Sequence, residues 1–390
     1  MSLAFLIRLP VRLFPLFFLS TLLPVLRASP PSPSPDREEV TALMHGIVSA
    51  QLRIYGARLP LDWQAGTFFT CVLAAYKATG DQVFHDAARA WSEKAGWKTR
   101  GRPFFADDIC IAQTYLDLYL QHRDPRMIAD IRTKVDGYFG KASVTDKETR
   151  ERNLVEGENP FTGRNVWWWC DALYMAPPLL VRLHAATGEE RYLDLLHQLY
   201  WDTVDYLYVP ADGLFLRDGT FLDARSPAGR NIYWSRGNGW VYAGLVRVLD
   251  YLPASDPRRD DYLRLFRELT AALLRHQGED GLWRSALGES EWFPAKESSG
   301  TSFFCYGLLA GVNRGWLPRE THLEPALKAW RGLLTCLLPD GRLGYAQPVD
   351  HQPNPAPADH SIDYAHGAFL LAASELLALA PAPSPTLSSP

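Results

Sequence analysis

The chain has 390 residues, 47% of them apolar and 22% charged, which is a length for one large domain or two and a composition that excludes disordered and fibrous classes. Its formal charge is −4 and its lysines and arginines form no cluster, so a phosphate backbone is a poor partner. Aromatic residues are abundant, with 13 Trp, 17 Tyr and 18 Phe, enough to line a ligand cleft as well as fill a core.

The first 28 residues have the pattern of a secretory signal: Arg8 and Arg12, then the apolar run 13–26, then the small residue Ala28. A spanning helix needs about 20 apolar residues, and Pro15 and Pro24 interrupt this run. The expectation is export, to the periplasm or outside the cell, with no stable membrane insertion once the leader is removed. Residues 29–35 are a Pro/Ser-rich linker, 36–380 the folded domain, and 381–390 a tail of similar low complexity.

Within the domain, six apolar stretches begin near Thr67, Ile109, Asp171, Gly239, Thr301 and Asp363, at spacings of 42, 62, 68, 62 and 62 residues. Most lack a polar face, as buried helices do. Each of the first five is followed by a short polar break and an amphipathic helix, at about 81–96, 125–139, 189–207, 257–277 and 320–337. The sixth, 363–379, has no such partner, but an amphipathic segment at about 36–53 precedes the first. Six buried and six outer helices, with the first outer helix closing against the last inner one, predict an all-α fold, an (α/α)6 toroid of six helical hairpins. An open solenoid would expose one side of every unit, and the helices without polar faces argue against it. Asp-Gly pairs at 212–213, 280–281 and 340–341 predict turns. Pro177 and Pro178 predict that the third inner helix is kinked or starts late.

Parallel inner helices gather their N-termini on one rim. The residues found there are Trp63; Asp107 and Asp108; Trp169 and Asp171; Trp234, Arg236, Asn238 and Trp240; Glu297, Ser298 and Ser299; Asp363, Tyr364 and His366. Carboxylates and indoles in one place suit a carbohydrate cleft. Asp171 follows three tryptophans, 167–169. It could be only a helix cap. A carboxylate against indoles also loses hydration, so its pKa rises and it can hold a proton near neutral pH. Of Asp107 and Asp108 one caps and only one faces the cleft. Arg236, between Trp234 and Trp240, offers a planar fork for a carboxylate and points to a sugar acid. Gly237 and Gly239 suit unusual backbone angles or close approach. His360 and His366 are read as structural. The five cysteines, 71, 110, 170, 305 and 336, lack zinc spacing and read as buried free thiols, with one disulfide left open. No metal site, phosphate loop or nucleophile elbow is visible.

Four motifs carry a family likeness: Trp169-Cys-Asp171-Ala-Leu-Tyr-Met175-Ala-Pro-Pro, Trp234-Ser-Arg236-Gly-Asn-Gly-Trp240, Glu297-Ser-Ser-Gly-Thr-Ser-Phe and Gly367-Ala-Phe-Leu-Leu-Ala-Ala-Ser-Glu-Leu. With them the chain resembles the unsaturated glucuronyl and galacturonyl hydrolases of glycoside hydrolase families 88 and 105, family 105 more closely, from about residue 40 to 379. The resemblance implies the same toroid, with Asp171 as general acid and base and Asp108 assisting. It implies that Trp169, Trp234, Arg236 and Trp240 hold an unsaturated uronic acid, that Met175 lines the pocket, and that no cofactor is needed. Trp63 joins them from its place on the rim. Arg217 stands where the family often carries a histidine, and is taken as a substrate contact. The implied partner is an oligosaccharide of rhamnogalacturonan or pectin type left by a lyase, acted on by a monomer or weak homodimer. The alternative is an inverting glycosidase pairing Asp108 with Asp171 on saturated glycosides. An epimerase or a non-catalytic binding toroid are weaker alternatives. Residues 141–165 are expected to tune the neighbouring subsite.

Overall fold

The Asp36 carboxylate accepts from the Glu38 amide and starts helix α1 (Arg37–Tyr55), whose apolar residues Val40, Met44, Ile47 and Val48 are all buried. Helix α2 (Trp63–Thr79), capped by Asp62, is enclosed almost all round, with Ala65 to Leu73 buried without a break. Gly80, at φ 75°, ends it, and Asp81 caps the amphipathic α3 (Gln82–Lys94). This computed structural model describes residues 36–58, 60–102, 104–139 and 163–379. The expected leader, the linker, the tail and residues 141–162 lie outside them.

The inner–outer alternation of α2 and α3 repeats along the chain. The second inner helix is α4 (Ala106–Ile109) with α5 (Ala112–His122), followed by a 3-10 turn at Pro125–Met127 and outer helix α6 (Ala129–Phe139). After α7 (Gly163–Val166) come inner helices α8 (Ala172–Met175) and α9 (Pro177–Thr187), then outer α10 (Arg191–Leu207). Inner α11 (Ser235–Leu249) pairs with outer α12 (Arg259–Leu274), inner α13 (Ser298–Asn313) with outer α14 (Arg319–Leu334), and α15 (Asp363–Leu377) is the last inner helix.

The ring closes. Helix α2 packs on α5, α5 on α9, α8 and α9 on α11, α11 on α13, α13 on α15, and α15 back on α2. Outside it, α3 lies on α2, α10 on α9, α12 on α11, α14 on α13, and α1 on α15. The expected toroid is therefore the observed fold, with the first outer helix against the last inner one. Tyr55 and Gln51 of α1 tie this seam, donating to Asp363 Oδ2 at 2.7 Å and bonding His366 Nδ1 at 2.7 Å.

The third inner helix breaks where its prolines require it. Ala176, at φ −103° and ψ −47°, separates α8 from α9. Pro178 brings no amide hydrogen for Tyr174 O, and past the break the Leu179 amide bonds Ala176 O at 3.0 Å rather than Met175 O. Gln113 of α5 takes the place of both amides, its Nε2 donating to Tyr174 O at 2.9 Å and Met175 O at 3.0 Å. Close approach, rather than unusual backbone angle, explains Gly239: a Cβ there would lie 3.2 Å from Phe303 of α13. The three Asp-Gly turns do use left-handed glycines, at φ 70°, 85° and 86° for Gly213, Gly281 and Gly341.

Short strands sit among the connections. β1 (Tyr208–Val209) pairs antiparallel with β2 (Leu214–Phe215), and β3 (Tyr233–Trp234) with β4 (Ala286–Leu287) in the register Tyr233↔Leu287 and Trp234↔Ala286. All five cysteines are free and buried. Among the described residues no helix is long and apolar enough to cross a membrane.

Candidate active site

Asp171 lies one residue before α8 with helical backbone angles, and its side chain makes no capping bond. The carboxylate is thus left for other work. The residue is 7% exposed. Its Oδ2 sits 3.4 Å from Arg217 Nε and takes a long contact, 3.6 Å, from Cys170 Sγ. Burial pushes its pKa above the ordinary carboxylate value; the charges of Arg217 and, less strongly, Arg236 pull the other way without cancelling it. Arg217 is brought there by an isolated antiparallel bridge, Trp169↔Asp218, in which the Cys170 amide donates to Arg217 O at 2.8 Å. The guanidinium also bonds Asp218 Oδ2 at 2.6 Å and lies over the Trp168 ring, 5.4 Å from its centroid.

The two aspartates of α4 sit in different surroundings. Asp108 accepts from the Arg102 amide at 3.0 Å, from its Nε at 3.1 Å and from its Nη2 at 2.9 Å. Burial alone would raise its pKa, but these bonds outweigh it and hold the group below its usual range. Asp107 is half-buried, and its pKa is pushed up to about 7, first by burial and then by the charge of Asp171. Asp107, not Asp108, shares the electrostatic environment of Asp171. The expectation that Asp108 faces the cleft is corrected on that ground: Arg102, from the preceding loop, claims both its oxygens.

Aromatic rings form the wall and floor. Trp63, half-buried, stacks on Tyr364 with centroids 5.4 Å apart and planes 16° apart. Trp240 lies beneath both and against Tyr174 and Phe303, at 4.8 and 4.4 Å, and is only 1% exposed. Trp169 packs on Phe105 at 5.1 Å, and Met175 is buried with its Sδ 4.0 Å from Thr67 Oγ1. Trp240 is floor, with no free face for a sugar ring.

Arg236 is sandwiched between Trp234 and Tyr364, 4.4 and 4.9 Å from their centroids. Its Nη1 donates to Gln347 O at 2.7 Å and its Nη2 to Pro348 O at 2.8 Å. Its buried Nε has no hydrogen-bond partner. Gln347, which the sequence reading did not single out, is the hub behind it. Gln347 Oε1 accepts from Trp234 Nε1 and Ser285 Oγ, and its backbone oxygen also accepts from the Tyr364 hydroxyl at 2.7 Å. No local pattern marks a lone glutamine in a loop; only the fold brings these partners to it.

The remaining rim residues are structural. Glu297 caps α13 through the Ser299 and Gly300 amides at 2.8 and 2.7 Å. Asn238 bonds both the amide and the carbonyl of Phe215, at 2.8 and 3.0 Å. Burial drops the pKa of His366 to about 3, so the neutral ring accepts from the Leu343 amide at 3.1 Å. His360 Nδ1 bonds Ala346 O. Among the described residues no three His, Cys, Asp or Glu could hold a metal ion.

Glycosyl Hydrolase Family 88 matches residues 43–380 of the chain. The chain belongs to that family. A relative of this family 88 enzyme from Formosa agariphila, named unsaturated 3S-rhamnoglycuronyl hydrolase, is 35% identical over 83% of this chain and 86% of its own. A solved family 88 structure from Bacteroides vulgatus superposes with a TM-score of 0.79 at 28% identity, covering 87% of this chain and 99% of that one. A structure described as a possible family 105 member, from Salmonella enterica, shares the fold with a TM-score of 0.71 at 21% identity, over 91% and 97%. The family 88 enzyme is thus a glycoside hydrolase on an (α/α)6 toroid, as the motifs implied.

Proposed function

We propose that this family 88 glycoside hydrolase removes an unsaturated uronic acid, joined to rhamnose, from the non-reducing end of oligosaccharides left by a polysaccharide lyase. The observation that carries the reading is Asp171: a buried carboxyl, free of capping, with a raised pKa, in the field of Arg217 and Arg236. The relative named for a rhamnoglycuronyl substrate supports the rhamnose. Export through residues 1–28, a domain ending near 380, and a monomer or weak homodimer belong to the same reading.

The sugar's C4=C5 bond is a vinyl ether conjugated to a carboxylate. Asp171 gives its proton to C4, and positive charge develops on C5 and the ring oxygen. The Asp171 carboxylate then takes a proton from water as its oxygen bonds to C5. The C5 hemiketal opens, C1 is left as a hemiacetal, and its collapse expels the rest of the chain as an alcohol. Asp171 ends protonated, as it began. Asp107, pushed up to about 7 by burial and by the charge of Asp171, is the carboxyl that feels the charge left on Asp171 when it gives up its proton. The free Nε of Arg236 and the remaining hydrogens on its Nη atoms suit the C5 carboxylate, with Trp63 and Tyr364 as the wall and Trp169, Met175, Trp234 and Trp240 supporting it. No step needs a cofactor.

The test follows the ultraviolet absorbance of the conjugated C4=C5 bond in a lyase-digested rhamnose–uronate polysaccharide. Loss of absorbance with wild type and not with Asp171→Asn is the expected result. Unchanged absorbance with release of sugar from saturated glycosides would sink the reading in favour of a two-carboxyl glycosidase, which would pair Asp171 with Asp107, because Arg102 holds Asp108.

A further inference from the structure

Behind the ribbon of β3 and β4 lies a second cavity, of about 520 Å³, lined among others by Arg225, Arg230, Arg275, Asp212, Tyr233 and Glu289. Tyr233 and Trp234 are successive strand residues, so their side chains leave opposite faces. Trp234 meets Arg236 on the cleft side, and Tyr233 lines this groove. The groove is therefore separate from the catalytic cleft, with one short ribbon between them.

Its charges are arranged in an unusual way. Three arginines reach it from two segments: Arg225 and Arg230 from the loop of residues 222–231, and Arg275 from the C-terminus of α12. Among the described residues none of the three forms an ion pair, although two carboxylates line the same cavity. Each guanidinium is instead held by backbone oxygens. Arg225 Nη1 donates to Leu222 O and Ala224 O at 3.0 and 2.7 Å, Arg230 Nη1 to Gly288 O at 3.0 Å, and Arg275 Nη2 to Asp212 O at 2.7 Å. The carboxylates are occupied by neutral donors: Asp212 by Asn231 Nδ2, at 3.2 Å, and the Tyr233 hydroxyl, and Glu289 by the Ser226 hydroxyl. Three cations fixed in place, each with guanidinium hydrogens left over, face a space large enough for a sugar and its substituent. His276, in the same wall, has its pKa lowered by burial and by Arg275, so it stays neutral and leaves the guanidiniums as the cationic groups.

We infer that this groove binds an oxyanion substituent, a sulfate ester or a uronate carboxylate, on a segment of anionic oligosaccharide away from the reacting end. Guanidinium forks match both oxyanions by paired hydrogen bonds. The protein's net charge of −4 disfavours a nucleic acid as the occupant. The carbohydrate half of this inference rests on the function proposed for the cleft; the oxyanion half stands on the groove alone.

Calorimetric titration of the full chain tests both halves. The probes are inorganic sulfate, saturated oligogalacturonate, a sulfated dextran oligosaccharide and unmodified dextran, none of which carries the C4=C5 bond. Wild type is expected to bind one of the two anionic oligosaccharides more tightly than inorganic sulfate or plain dextran, and which one it prefers tells ester from carboxylate. Arg230→Gln/Arg275→Gln should weaken that binding about tenfold or more, the loss of one or two charge-assisted bonds, with Arg230→Lys/Arg275→Lys recovering part of it. Turnover of an unsaturated disaccharide should be the same in wild type and both variants. Equal affinities in wild type and the Gln variant, or equal binding of plain dextran, would overturn the groove. Binding of inorganic sulfate as tight as that of either oligosaccharide would overturn its carbohydrate half. If no unsaturated sugar is turned over, the cleft reading fails while the titrations still decide the groove.

Discussion

Arg217 Nε stands 3.4 Å from Asp171 Oδ2, so the residue proposed to hold the reactive proton is also paired with a permanent cation. Burial favours the neutral acid and the guanidinium favours the carboxylate; the outcome is a raised pKa, less raised than burial alone would make it. Arg217→Met removes the opposing pull. The pKa of Asp171 then rises further, and the alkaline limb of the kcat/KM profile moves to higher pH. A purely structural role for Arg217 would lower activity without moving that limb, and a pH–rate profile separates the two.

Asp171→Asn keeps the shape of the side chain and removes the proton. Turnover should fall by about 10² to 10⁴, the range for loss of a positioned acid–base group, while an unsaturated disaccharide still binds. Calorimetric binding beside single-turnover absorbance measures both. Retained turnover would move the chemistry elsewhere.

Asp107 and Asp108 should respond in opposite ways. The pKa of Asp107 is about 7 in the folded protein and about 4 in an unfolded chain. The folded state therefore binds the extra proton, and its stability falls as pH rises from about 4 through about 7. Asp107→Asn abolishes that loss, so its melting temperature relative to wild type should rise between pH 5 and pH 8. Asp108→Asn should leave the alkaline activity limb in place and lower the melting temperature, since Arg102 loses a buried partner.

Gln113→Leu is a test of the proline break. Tyr174 O and Met175 O would lose their donor, and Arg247, which bonds Gln113 Oε1 at 3.0 Å, would lose an acceptor. Leaving such groups buried costs about 1–3 kcal/mol each, and denaturant unfolding should show a loss of at least that order. Since α8 begins next to Asp171, kcat should fall as well.

The ring of helices was legible because its signal is repeated and coarse: a helix that is apolar all round must be buried, and Thr301 to Ala310 announces this without reference to anything distant. The burial of Asp171 and its raised pKa were legible for a related reason, since the apolar residues around it begin with its neighbours in the chain. The choice between Asp107 and Asp108 was not. They are neighbours on a four-residue helix, and what separates them is Arg102, whose loop path no periodicity encodes. Gln347, Arg230 and Arg275 were hidden in the same way, because their partners come from segments far apart in sequence. Trp240 shows the converse limit. Its place beside Arg236 in the motif suggested a sugar-facing ring, and the packing of Tyr174 and Phe303 encloses it instead.

The seam between the first and last helices sets the order of events during synthesis. Trp63 meets Tyr364, Tyr55 meets Asp363 and Gln51 meets His366, contacts that span some 300 residues of chain. Such pairings carry a loop-closure entropy that no local contact offsets in advance. A nascent chain can build its hairpins one after another as they emerge, yet it has no wall of the cleft until the final inner helix has left the ribosome. Catalytic competence therefore arrives last and all at once, and a chain stopped short of α15 holds every carboxylate of the proposed chemistry without the place to use them.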